Sequence, residues 1–128
     1  MSYDVDLVGP ETQITCRCSQ CGHTHLSPHR EVFYESNHTS NTAPMWREAG
    51  IDLRDWDGKP AKDLLEVLDP VITNMRADPG KYKAMNPPNG WGDYYSALDF
   101  LVGLSQACRE YPESEVVVKL SRGRGRLR

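Results

Sequence analysis

Apolar and polar residues alternate from the start of the chain: Tyr3, Val5 and Leu7 interleave with Asp4 and Asp6 before Gly9-Pro10 interrupts the pattern. A period of two predicts a strand over 3–8. Residues 12–18, Thr-Gln-Ile-Thr-Cys-Arg-Cys, alternate again, so the two segments read as an N-terminal hairpin. A third extended piece over 31–35 is expected to return along the same sheet, and the β-branched run 115–120 predicts a last strand able to pair with the first.

Between these strands the period changes. Residues 43–49 predict a short helix, capped by Asn41 or Thr42 and ended by Gly50. Leu64, Leu65, Leu68, Val71, Ile72 and Met75 recur at helical spacing behind Pro60, which suits a first helical position, and Pro70 predicts a kink within that helix. A short turn of helix is expected within 80–85. Asp93 is a good N-cap for a long final helix to Glu110, whose inward side would carry Ala97, Leu98, Leu101, Val102, Leu104, Ser105 and Cys108. The expected fold is α+β: a small antiparallel sheet, made of the N-terminal hairpin and the C-terminal strand, packed on two or three helices.

With 128 residues, 38% of them hydrophobic, the chain has material for one core, so residues 1–121 are expected to form a single domain. The first residues carry neither a basic nor an apolar leader pattern, and no stretch reaches the roughly 20 apolar residues of a membrane span. The expectation is a soluble protein of the cytoplasm with no membrane partner. That also removes the sequon at Asn37 from consideration, since glycosylation requires the secretory route.

Net charge is −3, but the four arginines 122, 124, 126 and 128 lie at the C-terminus, leaving 11 basic against 18 acidic side chains in residues 1–121. That body, at −7, opposes general binding to nucleic-acid phosphates, so a nucleic-acid partner could be held only through the Arg-Gly tail 122–128. The tail lacks apolar surface and reads as disordered.

The most specific chemistry lies in residues 16–25, where Cys16, Cys18, Cys21, His23 and His25 gather three thiols and two imidazoles. Cys18-x-x-Cys21-Gly22 has the form of a zinc knuckle, the glycine permitting the tight turn that aims amides at thiolate sulfur. Thiolates so close together suit a structural zinc at a hairpin tip better than disulfides or a catalytic metal. The expected ligands are Cys16, Cys18, Cys21 and one histidine, His23 or His38, with the fourth position open because the chain has no second separated ligand pair. Cys108 reads as a core residue.

Two further segments combine side-chain amides with tryptophan: 37–46, with Asn37, Thr39, Asn41 and Trp46, and 85–94, with Asn86, Asn89 and Trp91. If they converge, amides could read a polar ring and an indole could stack on it, forming a small-ligand site. Equally, the amides could cap turns while the tryptophans pin loops to the core.

These segments, together with Tyr3-Asp4-Val5-Asp6-Leu7, Asn37-His38-Thr39-Ser40-Asn41 with Met45, and Met85-Asn86-Pro87-Pro88-Asn89-Gly90-Trp91-Gly92, resemble a group of small proteins of tailed bacteriophages and prophages. The resemblance spans most of residues 3–120, is most specific in the second loop and excludes the arginine tail. It implies phage origin and action in the host cytoplasm. No activity is established for that group, so no catalytic residue carries over. The expected function is a non-enzymatic accessory module that binds a host protein or a small molecule, with structural zinc. The alternative is an enzyme or sequestering protein for a nucleotide-like ligand, with His38, Glu48 or Asp93 as acid or base. Oligomeric state is open.

Overall fold

The computed structural model describes residues 1–121; the Arg-Gly tail lies outside the described residues. Five strands and four helices follow in the order β1 (Ser2–Val8), β2 (Thr12–Arg17), β3 (Thr24–His29), β4 (Val32–Thr39), α1 (Ala43–Ala49), α2 (Ala61–Ala77), α3 (Pro79–Lys83), α4 (Tyr94–Glu110) and β5 (Glu115–Ser121). The class is α+β with a small antiparallel sheet.

That sheet has three strands in the order β4-β1-β5. β1 is its centre because Tyr3, Val5 and Leu7 all point inward and are fully buried, facing His38, Ser36 and Tyr34 on one side and Leu120, Val118 and Val116 on the other. The opposite face is polar, with Asp4 opposite Asn37 and Lys119, and Asp6 opposite Glu35. The connector after α1 covers the outer edge of β5: Gly58 N–H donates to Val116 O (2.7 Å) and Val118 N–H donates to Asp57 Oδ1 (2.8 Å).

The expected hairpin between the first two strands does not form. β2 pairs with β3 instead, in a separate two-stranded ribbon. The physical reason is in the side chains: β2 offers Ile14 alone among polar neighbours and has no apolar face to bury, whereas β5 brings Val116 and Val118 to the same edge of β1. At Gly9 the chain also stays with its β4 partner, the Gly9 N–H donating to Glu31 O (2.8 Å), rather than turning back. The ribbon thus continues the β1–β4 pair outward as an arm, most of whose residues are exposed. Arg30 clamps its base, donating from Nε to Gly9 O (2.7 Å) and from Nη2 to Glu115 Oε1 (2.8 Å).

The helices cover the inner sheet face. Leu64, Leu68, Val71 and Met75 of α2 pack with Ala97, Leu101, Leu104 and Cys108 of α4, and Met45 and Trp46 of α1 complete the core. Leu65, Leu98 and Val102 sit at its edge rather than within it. Burial pushes the Cys108 thiol up to about 11, which keeps it a neutral core residue. α2 runs unbroken through Pro70, and Pro60 stands one position earlier than expected, as the N-cap. Asp93 and Ser96 form a reciprocal capping box at the start of α4. The Tyr94 hydroxyl donates to Met75 O (2.9 Å), joining the start of α4 to the end of α2. No helix among the described residues is long and apolar enough to cross a membrane.

Candidate functional site

The two asparagine-bearing segments do converge, through a glycine. Gly92 has φ +91°, and a Cβ placed on it would stand 2.8 Å from the Cγ2 atoms of both Thr39 and Thr42, with His38 Nε2 at 3.7 Å. Only glycine allows the 86–93 loop to lie this close over the end of β4.

The first segment is not a loop as expected. Asn37, His38 and Thr39 are the last residues of β4, because alternation continues to the sheet edge: His38 faces Tyr3 inward while Asn37 faces Asp4 outward. Asn37 Nδ2 donates to Asp4 Oδ1 (2.5 Å) and Ser2 Oγ (3.2 Å). The Thr39 hydroxyl accepts from Asn41 N–H (3.3 Å), capping a short turn ahead of α1, while the buried Thr42 donates to Thr39 O (3.2 Å). Trp46 is 1% exposed, with its indole N–H bonded to Ala97 O (3.2 Å). It is a core residue and meets no ligand surface.

In the second segment, Asn86 Oδ1 accepts from Tyr94 N–H (2.8 Å) and Asn89 Oδ1 accepts from Trp91 N–H (2.9 Å). Both amides shape the backbone. The result is a loop that leaves Trp91 67% exposed, and Tyr95, in the first turn of α4, is 59% exposed. Lys83 Nζ lies 4.9 Å from the centre of the Tyr95 ring. Asn86, Pro87, Gly90, Gly92, Asp93 and Ser96 line an open cleft of about 420 Å³. Tyr95 is a residue the sequence reading missed, although its spacing from Trp91 across a helix N-cap was a usable signal.

Behind Gly92, the His38 ring packs on Phe100 (5.2 Å between centres) and Trp46 (5.6 Å). Its Nε2 is enclosed and has no hydrogen-bond partner. Burial holds the imidazole below its ordinary range, partly offset by the Asp93 carboxylate. The three candidate acid–base groups do not form a constellation. His38 is enclosed, Asp93 caps α4, and Glu48 pairs at the surface with Lys81 (3.0 Å).

The thiol and imidazole cluster occupies the far end of the β2–β3 arm. Cys16 faces His25 across the ribbon, and the Cys18 N–H donates to His23 O (2.8 Å), so Cys16, Cys18, His23 and His25 share one face. The His23 and His25 rings stack with centres 6.4 Å apart. Gly22, at φ +75°, closes the turn with its N–H on Cys18 O (3.0 Å). The backbone N–H groups of Cys21 and then Gln20, followed by the Cys21 thiol, hold the Cys18 thiol below its ordinary range. His38 cannot join this group: the Tyr3–His38 rung lies at the opposite end of the β1–β4 ladder from the arm. Among the described residues no three cysteine, histidine or carboxylate side chains are gathered as a metal cluster. No strand was expected over 24–29, so β3 and the shared face of His23 and His25 were not foreseen; the alternating His-Thr-His was the available signal.

No protein-family model, curated protein or solved structure matches this chain.

Proposed function

We propose that the protein is a non-enzymatic binding module of phage type that engages a protein of the bacterial host through the face presented by Trp91 and Tyr95. The observation that carries this reading is the exposure of two large aromatic side chains, Trp91 at 67% on the loop braced by Gly92 and Tyr95 at 59% in the first turn of α4. Exposed tryptophan and tyrosine on a rigid support make effective interface anchors, because they bury much apolar area while losing few rotamers. Most of the side chains expected to read a small polar ring serve the fold instead: Asn37, Asn86 and Asn89 bond within the chain, and Trp46 is core.

Zinc at the arm tip belongs to the same proposal. Cys18 and Cys21 are its first two ligands, favoured by the N–H groups aimed at Cys18, and the completing ligands are open among donors such as Cys16, His23 and His25. The metal's role would be structural, holding the end of a ribbon that buries little apolar surface.

Purification of tagged protein from bacterial cells, followed by native mass spectrometry, tests the reading. We expect a discrete protein partner that is lost with Trp91→Ala while the variant keeps its melting temperature. Retention of a small polar molecule with no protein partner would overturn it in favour of the ligand-sequestering alternative.

A further inference from the structure

We propose that the arm tip joins two copies of this chain through a single zinc ion, each copy contributing Cys18 and Cys21. This rests on the zinc-binding part of the function proposed above and names the partner of that site.

The knuckle supplies two ligands whose backbone is already arranged. Gly22 adopts the left-handed conformation the turn requires, and its N–H bonds back to Cys18 O. Tetrahedral structural zinc takes four ligands, so two more must come from elsewhere. Within one chain no third donor is gathered with them, since among the described residues no three cysteine, histidine or carboxylate side chains stand together as a metal cluster. Cys16 is two residues back on an extended strand, about 6.6 Å along it, whereas two sulfurs on one zinc stand less than about 4 Å apart. The His23 ring, across the ribbon from Cys18, stacks on His25 with centres 6.4 Å apart. The knuckle is thus left with two gathered ligands among the described residues.

A second tip meets these requirements without rearranging the first. Cys21 is exposed, and the ribbon projects from the body with most of its residues in solvent, so two tips can approach end to end. Charge favours the approach as well. Although residues 1–121 carry −7, no aspartate or glutamate occurs between Thr12 and His29. Arg17 lies against the knuckle, its Nη2 3.5 Å from where a Gly22 Cβ would stand. Four thiolates around Zn²⁺ leave a charge of about −2, and two tips bring two Arg17 guanidiniums to offset it. Assembly requires the release of one proton from each thiol still protonated, and no oxidant or reductant.

The test is native mass spectrometry and light scattering of the full chain under reducing conditions, titrated with zinc alone. The expected result is a doubling of mass at one zinc per two chains, reversed by chelator. It should be abolished in Cys18→Ser/Cys21→Ser and retained in Cys16→Ser and in His23→Ala. One zinc on each monomer overturns the bridge and leaves the zinc proposal standing. Absence of any bound zinc overturns both, and a dimer that survives chelation overturns the bridge.

Discussion

Gly92 lies against Thr42 so closely that a Cβ on the glycine would stand 2.8 Å from the threonine Cγ2. This contact locks the Trp91 loop onto the sheet. Gly92→Ala therefore introduces both a steric overlap and a side chain at φ +91°, which together cost about 2–4 kcal/mol. Chemical denaturation should report that loss. Adding Thr39→Ser and Thr42→Ser, which remove the two methyl groups, should recover the steric part and leave the backbone part.

His38 makes folding sensitive to mild acid. Its folded-state pKa lies below the ordinary 6.5, so the unfolded chain takes up the proton first. Stability should fall as pH drops from about 6.5 towards the depressed folded value, and then level off with respect to this group. His38→Phe keeps a ring against Trp46 and Phe100 and should flatten that portion of the pH profile, as measured by melting temperature. An unchanged slope would show that His38 does not carry it.

Asp6 acts in the opposite pH direction. Desolvation raises its pKa above 3.8, with Glu35 and Asp4 adding to the effect and the Ser36 N–H opposing it. The folded state thus favours the protonated acid, and stability from this group is lost as pH rises from about 3.8 through the raised value. Asp6→Asn should raise the melting temperature at pH 7 and leave it unaltered well below pH 3.

The arm and the body should respond separately to mutation. Cys18→Ser removes a proposed zinc ligand but no core atom, so zinc binding should disappear while the body unfolds within about 0.5 kcal/mol of wild type. Comparing zinc stoichiometry with the tryptophan-fluorescence melt of Trp46 checks this. A large fall in body stability would mean that the arm supports the core.

The core was legible because its signals are local and periodic. Tyr3, Val5 and Leu7 at period two, and Leu64, Leu68, Val71 and Met75 at helical spacing, each identify an element with a buried face. Partner choice among strands was less legible. Thr12–Arg17 alternates well enough to be a strand, yet whether it joins β1 depends on which segment can bury apolar surface there, and Val116 and Val118 occur a hundred residues later. The asparagines illustrate a different limit. Asn86 and Asn89 were expected to read a ligand, but an amide that does so and one that accepts from Tyr94 N–H or Trp91 N–H have the same composition and differ only in geometry. Trp46 and Trp91 diverge for the same reason: one lies within α1 and is buried against Ala97 and Phe100 of α4, the other sits in a loop ahead of a positive-φ glycine and is exposed.

Site-specific photo-crosslinking in living bacterial cells tests the central claim most directly, with the reactive group placed in turn at Trp91, at Tyr95 and at Lys62. Lys62 is exposed and lies at the start of α2, the opposite end of the helix pair from Tyr94 and Met75. The account predicts one discrete protein adduct from positions 91 and 95 and none from position 62. The absence of adducts at 91 and 95, or equal adducts at all three positions, would contradict it.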